Sequence, residues 1–389
     1  MLQALSVFHC VNDGSVALFT SALPVMRLSP GLSFVEIGTI LSLGFVAAML
    51  LQLIFGSLSD RGDADRLLVL GFAGIVAVDL AFPASSAFAQ ALMFYVLLRC
   101  AAAVYHSVSF ASIGRTYVQN KSAAFGFQAA IGDIGITVAT FSAGLLSEMW
   151  GGKIPFWTWG AIGAALLVYF VRIIMRHRIV LQKQPVISAG EINEIPQRGS
   201  RSAKAAFAVS VTVPSSSTAT FILFTGYMPL YFNLVGGLSP ASSTALVAAW
   251  IGIEVVAGYM TGKVVSRLGG EVRTLRLTFA IGALLFLTAY AVGNFGFPAP
   301  WATTISYLTV LLTGILIFIT FPVVNGLLGL RMPHRRLGLT YALSLSLGLV
   351  VSSLATYIMG HLASVMSIAV ALPMMFVIAV LGTAASLML

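Results

Sequence analysis

The sequence predicts an all-α membrane protein of twelve transmembrane helices in two six-helix bundles, and three observations carry that expectation. First, 59% of the 389 residues are hydrophobic and only 8% are charged, against about 25% charged in an average soluble domain. A chain so poor in charge cannot clothe a water-exposed globule of this size, and its hydrophobicity equally excludes disorder. Second, apolar runs of roughly 20 residues, the length of one bilayer crossing, recur along the whole chain. Third, a single extended polar stretch, 178–204, divides those runs six and six.

Taken in order, the predicted spans are 3–26, 33–58, 67–85, 88–112, 122–147 and 155–177, then 205–235, 240–266, 274–294, 300–329, 339–361 and 365–387. Charged or Pro/Gly-rich breaks separate them. The predicted units are therefore an N-terminal bundle (1–177), a linker (178–204) and a C-terminal bundle (205–389). Orientation follows from basic residues, which collect in cytoplasmic loops. Eighteen of the 21 Lys and Arg fall in the loops after spans 2, 4, 6, 8 and 10 or at the adjoining span ends. Both termini are thus expected in the cytoplasm. The excess of 21 basic over 12 acidic residues reflects this topology rather than nucleic-acid binding. Cys10 and Cys100 lie within apolar runs and suggest neither a disulfide framework nor a metal set. The N-terminal MLQALSVFHC lacks a basic n-region, which argues against a cleaved signal.

A repeat relates the two halves. Span 2 ends in GSLSDRGDADR from Gly56 and span 8 ends in GKVVSRLGGEVR from Gly262. Gly56 aligns with Gly262 and Arg61 with Arg267, while Ser266 replaces Asp60. The glycines permit close helix approach, and the Asp/Arg pair suits a brace at a helix end.

These residues bear a family resemblance. Gly56, Leu58, Asp60, Arg61 and Arg66 resemble the helix 2–3 loop signature of the major facilitator superfamily, G-x-L-(S/A)-D-R-x-G-(R/K)-(R/K), although Asp63 and Asp65 stand where that family favours base. Arg99 in LLRCAAAVYH resembles its helix 4 R-x-x-x-G, with Ala103 in place of glycine. FHCVNDG in span 1, AVYHSVSFASIGR in span 4 and GFQAAIGDIGITVATFSAG in span 5 are similar to the fosmidomycin-resistance-type efflux branch. Ser107 replaces that branch's proline, and Asp133 its commoner Asn. The resemblance implies twin bundles that rock to expose a central cavity alternately to each side, with helices 1, 4, 7 and 10 lining it and 2, 5, 8 and 11 joining the halves. It also implies a bacterial inner membrane.

Ionisable groups at mid-bilayer cost about 2.5–3.5 kcal/mol each on insertion scales and mark candidate sites. His9 and Asp13 share a helix face at i,i+4 spacing. With helices 1 and 4 side by side, His9, Asp13, Arg99 and His106 are expected to form one cluster. Two readings of it stand: a proton relay, or a static ion pair that fixes packing. Asp133 and Glu254 are expected to meet at the contact between halves, where two carboxylates do not both ionise cheaply. Alternatively, Thr137 and Thr140 satisfy Asp133 by hydrogen bonding. Asp79, near Pro83, is expected to reach interfacial water. Span 7 carries Pro214, Gly226 and Pro229 and is expected to be irregular. Tyr227 and Tyr231, with Asn233 close by, either line an amphipathic pocket or belong to an aromatic belt. Pro322 and Asn325 on span 10 suggest a similar kink.

Expected proton-coupling residues are thus Asp13, His9, His106, Asp133 and Glu254. Expected substrate contacts are Arg99, Asn12, Tyr105, Tyr227, Tyr231 and Asn325. Gly56, Asp60, Arg61, Arg66, Gly262 and Arg267 are the expected structural and gating residues. GYMTGK has the wrong spacing for a phosphate-binding loop, and neither a metalloprotease motif nor a nucleophile–base pair appears. No cofactor, metal or enzymatic activity is expected. The expected partners are a small-molecule substrate, protons and lipid, with the chain acting as a monomer. The resemblance implies a proton-coupled exporter of a small amphipathic or anionic compound. An uptake symporter for an organic anion and a non-transporting sensor are the alternatives.

Overall fold

A computed structural model describes residues 2–28, 31–59, 64–116, 121–177, 200–294, 299–331 and 337–388. Apart from two 3-10 turns, the regular structure of these residues is α-helical: α1 (Leu2–Ser21), α2 (Leu23–Leu28), α3 (Phe34–Ser59), α4 (Ala64–Ala81), α5 (Phe88–Thr116), α6 (Lys121–Trp150), α7 (Ile154–His177), α8 (Ser200–Leu234), α9 (Pro240–Leu268), α10 (Glu271–Asn294), α11 (Ala299–Arg331), α12 (Leu337–Val365) and α13 (Ala371–Leu387). The short α2 continues the first span after a break at Ala22, with Pro24 in its first turn, where a missing N–H costs little.

Helix ends follow local chemistry. Ser33 and Glu36 form a capping box at the start of α3: Glu36 Oε2 accepts from the Ser33 amide and hydroxyl (both 2.8 Å), and Ser33 Oγ accepts from the Glu36 amide (3.2 Å). Ser239 caps α9, and Gly269 closes it in the left-handed region at φ 83°, its amide and that of Gly270 bonding back to Ser266 and Val265.

The helices occupy all twelve predicted spans. Among the described residues nine are long and apolar enough to cross a membrane. α1, α8 and α11 are not among the nine. Two of these carry polar side chains into the interior: His9, Asn12 and Asp13 from α1, and Ser217, Thr218 and Thr225 from α8. Asp60, Arg61 and most of the predicted linker, 178–199, lie outside the described residues. The remainder of that linker is helical, since α8 begins at Ser200. α8 also runs unbroken through Pro214 and Pro229, and α11 through Pro322, where irregular backbone was expected. Packed neighbours accommodate such prolines within a membrane.

Within the first half, α1 packs on α5, α6 and α7, and α5 on α3 and α4. Within the second, α8 packs on α12 and α13, and α10 on α11 and α13. The longest seams cross between these sets, α3 along α12 and α6 along α9. Small residues permit them. A methyl group on Gly126 would lie 2.5 Å from the Gly258 carbonyl oxygen, and one on Gly360 2.6 Å from that of Phe34. Gly262, singled out by the repeat, faces Ala123 in the α6–α9 seam at a looser 3.4 Å. Gly56 is buried, whereas Arg66 and Arg267 are exposed.

Candidate functional site: a polar chamber between the two sets of helices

A cavity of about 170 Å3 lies between the sets, with walls from both. His9, Asn12, Asp13, Arg99, His106, Asp133 and Glu254 line it, as their places on the predicted spans suggested.

Its first polar centre is built on α1 and α5. Two glycines of α6 make room for it. A methyl group on Gly135 would collide with the Cys10 backbone, and one on Gly132 would come within 2.5 Å of the His9 ring. Close approach brings His9 Nδ1 to 2.9 Å from the carbonyl oxygen of Gln128. A carbonyl only accepts, so Nδ1 carries the hydrogen and Nε2 faces the chamber. Nε2 lies 2.9 Å from Asp13 Oδ2, bent away from an aligned hydrogen bond and therefore an ion-pair contact. With Nδ1 already protonated, that contact is attractive only when a further proton resides on the pair. On the other side of the carboxylate, Asp13 Oδ1 accepts from Asn12 Nδ2 at 2.7 Å and lies 3.6 Å from His106 Nε2. The Tyr105 ring stacks on His9 at 4.8 Å, and His106 meets His9 edge-on at 5.2 Å.

The second centre spans the two sets of helices. The carboxyl groups of Asp133 on α6 and Glu254 on α9 both face the chamber and lie close enough to feel each other's charge across the seam. Asp133 Oδ2 and Glu254 Oε2 are buried and have no hydrogen-bond partner among the described residues. Two carboxylates buried side by side do not both ionise cheaply. The threonine alternative does not hold: Thr137 Oγ1 donates to the backbone carbonyl of Asp133, and Thr140 pairs with Ser21.

Arg99 corrects one expectation. It faces the chamber but does not pair with Asp13; among the described residues, the ion pairs within 4 Å are those of Asp13 with the two histidines. Instead the guanidinium lies 4.7 Å over the Phe45 ring, and its buried Nε has no hydrogen-bond acceptor. The histidines sit closer to Asp13 because i,i+4 spacing on α1 and the crossing of α5 deliver them there first.

Four expected substrate contacts lie outside the chamber wall. Tyr105 is buried, donating to the Leu5 carbonyl at 2.7 Å and accepting from Gln128 Nε2 at 2.8 Å. Tyr227 is buried, donating to the Thr356 carbonyl at 2.6 Å and so tying α8 to α12. Tyr231 packs edge-on against Phe232. Asn325 donates to the Phe321 carbonyl one turn back, while its own carbonyl accepts from Tyr341. Asp79 is buried rather than interfacial, accepting from Ser15 Oγ at 2.6 Å. Side chains not singled out by sequence include Gln52, Thr20, Ser217 and Thr225, all lining the chamber.

Packing continues at both ends of the chamber. Toward the face bearing the basic loops, Phe110 lies 5.3 Å from Phe125 and 5.9 Å from both Phe321 and Tyr341, centroid to centroid, an aromatic cluster that joins the two sets. Toward the opposite face, Ser42 meets Ser353 at 2.8 Å, and Glu148 Oε2 accepts from the amide of Ala241 at 3.1 Å.

A multi-pass helical membrane protein with a polar chamber walled from both halves has the build of a membrane transporter. The profile of the Major Facilitator Superfamily matches residues 5–356, and the chain belongs to that superfamily. No curated protein gives a significant match.

Proposed function

We propose that this transporter is a proton-coupled secondary carrier that exports a small amphipathic or anionic compound by alternating access. Both termini lie in the cytoplasm, and bundles 1–177 and 205–389 rock about the chamber of a monomer in a bacterial inner membrane. The observation that carries the reading is the meeting of two buried carboxyl groups, Asp133 and Glu254, across the α6–α9 seam, with Asp133 Oδ2 and Glu254 Oε2 left without hydrogen-bond partners among the described residues. With the proton in place, the two carboxyls hold α6 against α9. Without it, two carboxylates in apolar surroundings repel, and the seam loosens. The His9–Asp13–His106 centre, whose His9 ring lies against Gly132 beside Asp133, offers the proton a second residence. Arg99 supplies a positive charge with no acidic partner within 4 Å among the described residues, and an anionic group on the substrate satisfies it.

The same unpartnered Arg99 favours the second reading, uptake of an organic anion together with protons. Export is preferred on the similarity of FHCVNDG and AVYHSVSFASIGR to the efflux branch. Proteoliposome flux under an imposed pH gradient separates the readings. Substrate moving opposite to protons supports export, substrate moving with them supports uptake, and no flux with any of a panel of organic anions and amphipathic drugs leaves only the non-transporting sensor.

A further inference from the structure

The first polar centre has a second chemical capacity that proton handling does not require. One side-chain atom from each of His9, Asp13 and His106 lies within 4.8 Å of the other two. Two imidazoles and one carboxylate are a ligand set suited to borderline divalent ions of the zinc, cobalt and nickel group.

Three features separate this cluster from a chance gathering. Metal-binding histidines usually donate their other ring nitrogen to a carbonyl or carboxylate, which fixes the tautomer and aims the ligand atom. His9 does this, with Nδ1 on Gln128 and Nε2 toward the chamber. The carboxylate is likewise oriented from behind, by Asn12 Nδ2 at 2.7 Å. All three residues also line the cavity. An ion held there keeps free positions for water or an anionic ligand, as sites with three protein ligands do. Present separations of 2.9 and 3.6 Å between Asp13 and the two Nε2 atoms bracket the spacing of neighbouring ligands about an ion with bonds near 2.0–2.2 Å. The surrounding charges are compatible. Asp133 and Glu254 approach from α6 and α9, and Arg99 from α5, where no bond fixes its guanidinium to the cluster.

The geometry points to a divalent transition-metal site formed by His9 Nε2, the Asp13 carboxylate and His106 Nε2, open to the central chamber. The inference does not rest on proton coupling: a metal-binding protein without coupled flux, or the reverse, separates the two.

The test uses the tag-free, full-length protein in detergent and Co2+ alone as the optical probe. The expected result is one equivalent of Co2+ with the intense visible bands of four- or five-coordinate cobalt, displaced by Zn2+. His106→Gln is expected to weaken binding by more than about 100-fold, beyond the usual effect of losing an outer-shell partner, and Asn12→Ala by about 10-fold. His361→Gln, at an exposed position near the end of α12, leaves it unchanged. Should a variant fail to fold, X-ray absorption of the zinc-loaded wild type answers instead, with two imidazoles in the coordination shell expected. A spectrum of hexaaqua cobalt only, bands that survive His106→Gln, or a shell without imidazole would overturn the site.

Discussion

The two polar centres of the chamber differ in how they are tied to the fold. His9, Asp13 and His106 belong to α1 and α5 within one half, and their outer contacts, Asn12 and the Gln128 carbonyl, lie on α1 and α6 of that same half. Asp133 and Glu254 belong to different halves and face each other at the α6–α9 seam. The first centre is thus braced whatever the halves do, whereas the second exists only while α6 and α9 stay together. A proton on the first changes the charge of the chamber; a proton on the second changes how firmly the halves adhere. That division would suit the proposed coupled carrier, with a site for the ion and a joint that feels it.

Substitutions can break the comparison from either side. The largest effect is expected at the braced centre, where Asp13→Asn removes the carboxylate that both histidines face. Proton-driven flux in proteoliposomes should fall by about 100-fold or more, the scale of a lost proton-transfer group, with an unchanged elution profile. Near-normal coupled flux would take Asp13 out of the mechanism. Next comes Arg99→Gln, which touches neither centre. It should raise the KM for the substrate by about 10- to 100-fold, the loss of a charge-assisted hydrogen bond of roughly 1.5–3 kcal/mol, and leave the proton-to-substrate ratio intact. A change in that ratio would instead make Arg99 part of the relay.

The seam itself is tested by Gly126→Ala, whose methyl group would meet the Gly258 carbonyl oxygen at 2.5 Å. Thermal unfolding should report a destabilisation of about 1–3 kcal/mol, the usual cost of overpacking. An unchanged midpoint would mean the seam is looser than its glycines indicate. Smallest is Tyr227→Phe. It deletes one bond between α8 and α12 and should cost about 1 kcal/mol of stability with KM unchanged. A raised KM would return Tyr227 to the substrate pocket that its burial denies it.

Much of this was legible in the sequence, and the exceptions share a cause. Hydropathy located the spans, because lipid demands about 20 apolar residues of each whatever its neighbours. His9 and Asp13 were legible as a pair because i,i+4 spacing alone puts them on one face. The meeting of Asp133 and Glu254 needed the family's helix arrangement as well. Nothing in the pattern pointed to Gln128, since the group that fixes His9 is its backbone carbonyl, which every residue possesses. The tyrosines misled for a related reason. A tyrosine in an apolar run reads the same whether its hydroxyl enters a pocket or, as at Tyr105 and Tyr227, ends on a carbonyl of another helix. Arg99 was placed in the right chamber with the wrong neighbour, because spacing along α5 gives depth but not the angle at which α1 crosses.

The proton proposed to be shared by Asp133 and Glu254 can be sought without knowing the substrate. Infrared spectroscopy of the purified protein at neutral pH, recorded for wild type, Asp133→Asn and Glu254→Gln, reads protonated carboxyl groups directly through their carbonyl stretch. The account predicts a band from a protonated acid in the wild type that shifts in deuterated buffer and is lost or displaced in both variants. A wild-type spectrum with no such band, or one that both variants leave untouched, would contradict it.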